Sequence, residues 1–271
     1  MAPATHAFEQ RGALPVLTFP LLGGFPVDVV VTTRSGGVSA GPYAELNLGL
    51  HVGDDPAAVV ANRERAAAAV GLGLDDLVFA NQVHGRVVAG VGVADRGRGT
   101  RRQDDAVEGA DALVTADRGV GLAVMVADCA PIGLYDPGTH ALAGVHAGWR
   151  GAVVGVAAAA VDALVTGGAR REDIRAVMGP AVPGERYQVG EEVADAAAEA
   201  FGPATDAVLR PDGTGRWTFD VWAANERVLA DAGIRPEHLA TARLATLGGE
   251  RFFSDRAQRP CGRGALLGVL R

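Results

Sequence analysis

A chain of 271 residues, 48% of them apolar, can bury a large core and lies near the upper limit for a single domain. Its formal net charge of −7 excludes the basic footprint that non-specific nucleic-acid binding requires. All 25 basic residues are arginine; this excludes Schiff-base and lysine general-base mechanisms and leaves planar guanidinium groups as anchors for phosphate or carboxylate.

Apolar stretches within residues 1–26 are interrupted by Pro15, Pro20 and Pro26 and preceded by Glu9, with no basic opening, so no secretory signal is expected. Val27 to Thr33 predicts a buried strand. A loop follows, from Arg34-Ser35-Gly36-Gly37-Val38-Ser39 through Asn47-Leu48-Gly49 to His51-Val52-Gly53. Asp54-Asp55-Pro56 supplies an N-cap and an N1 proline for a helix reaching about Val70. Leu77 to Gln82 and Arg86 to Val91 predict short strands on either side of a turn at His84. Residues 94–109, rich in Gly, Arg and Asp, predict an exposed, mobile loop.

Three apolar runs come next: Val120 to Ala127, Ile132 to Tyr135 and Ala141 to Val145. Their lengths and turn punctuation favour buried strands. The longest is far short of the ~20 residues of a membrane helix, so a soluble, cytoplasmic protein without a membrane partner is expected. After Gly151, the residues Val153, Val156, Val161 and Leu164 approximate one helical face, and Gly167-Gly168 offers a stop. Ile174 to Met178 predicts a strand ending in Gly179-Pro180. Helices are expected near 190–201 and 220–232, and strands near 239–245 and 264–270. Neither repeats nor a linker divide the chain, which predicts one α/β domain over 1–271: a sandwich of mixed β-sheet flanked by helices. No feature sets an oligomeric state.

Three residues carry chemistry. His84 in Gln82-Val83-His84-Gly85, Cys129 in Ala127-Asp128-Cys129-Ala130-Pro131 and His146 in His146-Ala147-Gly148-Trp149-Arg150-Gly151 each stand where a strand-like run meets a Gly- or Pro-bearing turn. Two imidazoles and a thiolate make a three-ligand zinc set with a fourth position left for water or substrate. Asp128 strengthens the pattern, because a carboxylate interrupting a core strand is costly unless paired or near a metal.

These motifs, with Thr33-Arg34-Ser35-Gly36-Gly37-Val38-Ser39, Leu46-Asn47-Leu48-Gly49, Ala110-Asp111-Ala112-Leu113-Val114-Thr115 and Gly179-Pro180-Ala181, resemble in order those of the laccase-domain family. That family was first labelled multicopper polyphenol oxidoreductases and later understood as zinc-dependent purine nucleoside phosphorylases. The resemblance implies an α/β sandwich shared with certain deamidating toxins, with metal ligands at His84, Cys129 and His146. It also implies phosphorolysis of adenosine, inosine, guanosine and 5′-methylthioadenosine, with adenosine deamination beside it. Three positions depart from the family pattern. Ala245-Thr246 stands for a Cys-Thr pair, Phe252-Phe253-Ser254-Asp255-Arg256-Ala257 for a Phe-Phe-Ser-Tyr-Arg-Arg run, and Glu185-Arg186 occupies the place of a cysteine expected before Tyr187.

For nucleoside chemistry, Arg34 with its Gly-Gly backbone and Arg150 are candidates for phosphate. Asp128 is the acid–base candidate. Asn47, Gln82 and Tyr187 are candidates for holding ribose or base edges. Trp149 reads as a core residue more than a base-stacking one, and Cys261 carries no evident chemistry. Three alternatives stay open: a copper-dependent polyphenol oxidase, a cysteine hydrolase using Cys129 and His146, and a non-catalytic protein with structural zinc. His₂Cys suits one copper, but a multicopper enzyme needs further histidines, and His6, His51, His140 and His238 lie in unrelated contexts.

Overall fold

The computed structural model describes residues 4–213, 215–248 and 250–271. In chain order the elements are β1 (Ala7–Arg11), β2 (Leu14–Thr18), β3 (Val27–Thr32), α1 (Pro56–Ala69), β4 (Leu77–Phe79), β5 (Val88–Gly90), β6 (Ala112–Thr115) and β7 (Gly121–Val126). Then follow β8 (Ala130–Asp136), β9 (Ala141–Ala147), α2 (Trp149–Val154), α3 (Val156–Thr166), β10 (Arg175–Met178), β11 (Gln188–Val189), α4 (Glu191–Phe201) and α5 (Thr205–Val208). The last are β12 (Leu209–Pro211), β13 (Trp217–Phe219), α6 (Val221–Asp231), β14 (Leu239–Thr241) and β15 (Gly264–Leu270).

Strand side chains alternate between two faces, and here both faces are buried. In β7, Leu122, Val124 and Val126 join one core while Ala123 and Met125 join another. The same division separates Leu266 from Ala265 and Leu267 in β15, and Leu142 from Ala143 in β9. Two mixed six-stranded sheets result, ordered β1-β2-β3-β15-β7-β4 and β14-β10-β8-β9-β6-β5, with a small sheet β11-β13-β12 beside them. The core containing Leu17, Val31, Leu122, Leu142, Val177 and Leu266 lies between the two large sheets. α1 covers the outer face of the first sheet through Ala66, Ala67 and Ala69, and α2, α3, α4 and α6 cover the outer face of the second. The expected α/β sandwich of mixed sheet flanked by helices is therefore found, four layers deep. Among the described residues no helix is long and apolar enough to cross a membrane.

Several local expectations change. The helix expected after Gly151 is two, since Gly155 (φ 74°) ends α2 and opens α3 in the left-handed region that glycine tolerates. The N-terminal hairpin β1–β2 and the β11-β13-β12 sheet had no clear signal. Their strands are short, and β1 is mostly exposed, so hydrophobic alternation is weak there.

The segment 94–109 is exposed only in part, at Ala94, Arg96, Arg101, Arg102, Asp104, Asp105 and Glu108. Gly99 and Thr100 pack inward, with Ala106 and Val107 at 4% and 7% exposure. The cause is Arg63 on α1, which is fully buried. Its guanidinium donates to Leu48 O at 2.7 Å, to Gly99 O and to Thr100 O at 3.0 Å, and stacks 3.9 Å from the centroid of Phe79. A buried cation is costly alone; here three carbonyls and an aromatic face replace its water. Arg63→Met strips those carbonyls of their donor, each worth about 1–3 kcal/mol when buried unsatisfied. Urea denaturation should show a loss of about 3 kcal/mol or more, with limited proteolysis newly cutting within 94–109. A loss below about 1 kcal/mol would show that the segment is held by other contacts.

Candidate active site and metal-binding cluster

The chain passes from the first sheet to the second within Ala127-Asp128-Cys129, between β7 and β8. Asp128 turns this crossover at φ 84°. β8 runs antiparallel to both β9 and β10, so the start of β8 and the ends of β9 and β10 share one pole of the sandwich. His146 lies on β9 opposite Pro131, one residue inside the terminal Ala130–Ala147 pair. His84 reaches the same pole from the loop after β4, also with positive φ (61°). Non-glycine residues rarely adopt this region, and such residues cluster where a site demands them.

The ligating atoms of His84, Cys129 and His146 all lie within 4.8 Å of one another. The rings of His84 and His146 meet edge to face at 4.8 Å between centroids. Gly148 is required for the sulfur to fit: a Cβ there would stand 2.5 Å from Cys129 Sγ. Burial pushes the Cys129 thiol up, but the His146 and His84 imidazoles outweigh it and bring the thiol well below its ordinary value. Burial pushes His146 down, and here the Cys129 sulfur and the Asp111 carboxylate prevail, raising it. Three close donors, one of them a readily formed thiolate, fit a metal ion.

Asp111 organises this cluster, although no motif reasoning assigned it a role. It is 1% exposed and accepts four hydrogen bonds. Oδ1 takes His84 N at 2.9 Å and His146 Nδ1 at 2.9 Å; Oδ2 takes Val83 N at 3.2 Å and Gly85 N at 2.7 Å. Binding Nδ1 leaves His146 Nε2 for the cluster, the usual arrangement in which a carboxylate orients a metal-ligating imidazole. Burial alone would raise the Asp111 carboxyl, but these donors overcome it and hold the group below the usual carboxylate range. The available sequence signal was an aspartate preceding the buried strand β6.

Around the cluster opens a cavity of about 680 Å³, whose wall includes Gln82, Asp128, Trp149, Arg150, Tyr187 and Arg256. Asp128, 9% exposed, accepts from Thr246 Oγ1 at 2.5 Å and from Arg256 N at 2.7 Å. Gln82 lines the cavity, but its amide is engaged with the Met125 backbone: Nε2 donates to Met125 O and Oε1 accepts from Met125 N, both at 2.8 Å. Trp149 is half-buried, packing on the helical core while facing the cavity.

Two candidates lie elsewhere. Asn47 is fully buried and outside the cavity wall, its amide tied to Asp54, Gly49 and Arg263 N. It holds loops together instead of facing a ligand. Arg34 also stands outside that wall, with Nε and Nη2 both donating to Ala44 O, at 2.9 and 2.6 Å, and its guanidinium over Phe253. Sequence reasoning missed Arg256, Arg259 and Arg263, all in the wall. They come from the coil between β14 and β15, where no periodicity marks orientation.

The departures near the C terminus are part of this architecture. Thr246 contacts Asp128, and Asp255 pairs with Arg259 and Arg263. Arg186 Nη1 donates to Leu247 O at 3.1 Å.

A family model described as "Multi-copper polyphenol oxidoreductase laccase" matches residues 28–271. "Purine nucleoside phosphorylase ORF3" of Streptomyces griseus is 45% identical over 246 residues, covering 91% of this chain and 94% of that one. "Purine nucleoside phosphorylase YlmD" of Geobacillus stearothermophilus is 37% identical over 257 residues, covering 93% and 91% respectively. The crystal structure of YlmD from the same organism matches with a TM-score of 0.93 at 34% identity, over 99% of this chain and 100% of that one. The hypothetical protein YfiH of Bacillus licheniformis matches with a TM-score of 0.93 at 32% identity, over 97% and 99%. With the family model covering nearly the whole chain and the same fold in its solved relatives, this chain belongs to the multi-copper polyphenol oxidoreductase laccase family.

Proposed function

We propose that the chain catalyses phosphorolysis of purine nucleosides in the cytoplasm, with zinc as its metal and adenosine deamination as a second activity of the same site. Its substrates on this reading are adenosine, inosine, guanosine and 5′-methylthioadenosine, split to free base and ribose 1-phosphate. One observation carries the reading: a single cavity joins the His84–Cys129–His146 cluster, the Asp128 carboxylate and a wall of arginines. Its volume of about 680 Å³ lies within the range of small-molecule sites. The relatives named purine nucleoside phosphorylase support the same assignment.

Zinc held by His84, Cys129 and His146 supplies a Lewis acid at this end of the cavity. In phosphorolysis the N9–C1′ bond breaks, its electron pair leaves with the purine, and a phosphate oxygen bonds C1′. The departing ring must accept a proton or a hydrogen bond. Asp128 is the carboxyl group beside the cluster that faces the cavity and can carry that proton. In deamination water adds at C6 and ammonia leaves, and the same carboxyl group moves the proton between them. Thr246 and the Arg256 amide hold Asp128 from the side.

A thiolate with two imidazoles also suits copper. Oxygen reduction by a multicopper centre needs several metal clusters, and among the described residues only one such group occurs. The lowered Cys129 thiol beside His146 favours a cysteine hydrolase only where no metal occupies the sulfur.

Incubation with inosine and orthophosphate should release hypoxanthine and ribose 1-phosphate, with no base released when phosphate is omitted. Base release that ignores phosphate would return the hydrolase reading, and phenol oxidation without nucleoside turnover the copper one.

Purified protein should hold about one zinc per chain, lost in His84→Ala and in Cys129→Ala. Asp111→Asn should weaken zinc about 10- to 100-fold in chelator competition, the usual effect of removing an outer carboxylate. Wild-type affinity in Asp111→Asn would mean that the cluster is organised without it.

Asp128→Asn can keep both neighbours, accepting from Arg256 N and donating to Thr246 Oγ1, but it cannot carry a proton. It should retain zinc and lose about 10²–10⁴-fold in kcat. Near-normal rates with full metal would move the acid–base role to another group.

A further inference from the structure

The cavity wall carries four guanidinium groups, Arg150, Arg256, Arg259 and Arg263, against the carboxylates of Asp128 and Asp255. In a chain of formal net charge −7, this local reversal of sign concentrates anions. The four arginines are unequal in what they have left to offer.

Arg263 is committed within the protein. Its Nη1 donates to Cys261 O at 3.2 Å and Gly262 O at 3.1 Å, and its Nη2 to Asp255 Oδ1 at 3.0 Å. Arg259 is 77% exposed and held by Asp255 through Nε at 2.7 Å and Nη2 at 2.6 Å. Arg256 uses only Nη2 in its side chain, on Gln188 O at 2.8 Å; among the described residues its Nε and Nη1 have no acceptor. Arg150 uses only Nη2, on Glu192 Oε1 at 3.0 Å. Those two side chains are 51% and 72% exposed, and such surface pairs hold weakly.

Arg150, Arg256 and Tyr187 share one cavity wall. The Arg256 guanidinium lies 5.7 Å from the Tyr187 ring centroid, and the Tyr187 hydroxyl has no partner among the described residues. Burial first, and then the Cys129 sulfur, push that phenol up to about 12, while Arg256 and Arg150 act in the opposite direction. The hydroxyl therefore stays protonated near neutral pH and remains a donor.

We infer that Arg150, Arg256 and Tyr187 form the oxyanion subsite that takes inorganic phosphate beside the Cys129 cluster. This rests on the phosphorylase reading for its ligand. Two guanidinium groups with open donors and one hydroxyl suit a tetrahedral dianion. The subsite excludes Arg34, whose guanidinium is turned to Ala44 O and lies outside the cavity wall.

The test measures orthophosphate on zinc-loaded full-length protein, by calorimetry without nucleoside and by steady-state kinetics with inosine. Arg256→Met should weaken phosphate binding, and raise its KM, about 10- to 100-fold, with nucleoside KM and zinc content unchanged. Arg150→Met should act in the same sense. Tyr187→Phe, which removes one oxygen and keeps the ring, should weaken phosphate several-fold, about the weight of one hydrogen bond. Arg34→Met should leave phosphate binding as in wild type. Thermal unfolding of each variant shows that it is folded.

The subsite is overturned if Arg256→Met and Arg150→Met bind phosphate normally, if Arg34→Met carries the loss, or if wild type binds no phosphate with or without nucleoside. Phosphate binding that depends on Arg256 and Tyr187, in a protein that does not cleave nucleosides, would uphold the subsite and refute the phosphorylase reading alone.

Discussion

The site depends on one buried carboxylate. Asp111 lies at the start of β6 and gathers three successive backbone N–H groups, Val83 to Gly85, together with the ring of His146. A left-handed residue in a turn lets consecutive amides converge on one anion, which is consistent with the φ of 61° at His84. The desolvation cost of Asp111 and the strain at His84 are thus parts of one arrangement. Without the carboxylate, the buried His146 imidazole and the three amides would lose their shared acceptor. Since the fold holds this carboxyl below the usual range, the stability it contributes is present above the ordinary carboxylate pKa. It is lost as pH falls through the lowered value.

The second constraint is the crossover at Ala127-Asp128-Cys129. β7 belongs to the first sheet and β8 to the second, so these three residues span the gap between the two sheets. The crossover turns Cys129 and Asp128 to the same cavity while Val126 and Ala130 stay in the core. Gly148, at the end of β9, gives the sulfur its room. The reactive groups therefore rest on strand ends and tight turns, which hold side chains more exactingly than long loops do.

What the sequence made legible follows from these physical facts. Leu122 to Val126 and Ala141 to Val145 are buried on both faces, and their short, turn-bounded apolar runs favour strands. His84, Cys129 and His146 interrupt or end such runs, and an interruption of a core strand by a polar group is a local signal. Asp55 and Pro56 mark the start of α1 through a cap that the structure contains, with Asp55 accepting from Ala57 N. The misreadings have an equally physical basis. Residues 94–109 look solvated by composition, yet a buried arginine 36 and 37 positions away draws the Gly99 and Thr100 carbonyls inward. Asn47 and Arg34 sit in motif-like loops, but what a loop side chain faces depends on partners such as Ala44, Asp54 and Arg263, distant or near, that no period encodes.

The cavity arginines that sequence reasoning missed share one origin. Arg256, Arg259 and Arg263 all come from the coil leading into β15, and β15 lies between β3 and β7 at the centre of the first sheet. The final strand therefore fixes where the arginine segment enters the cavity. Asp128 then joins the two ends of the site: its backbone adjoins Cys129, while its carboxylate takes the Arg256 amide. Movement of the arginine segment must be felt at the crossover that carries the thiolate, and the reverse. Hence the residues departing from the family pattern in this segment matter through position before chemistry. Asp255 holds Arg259 and Arg263 with both of its oxygens, which leaves Arg256, among the described residues, as the member of that segment whose guanidinium is paired with no acidic side chain.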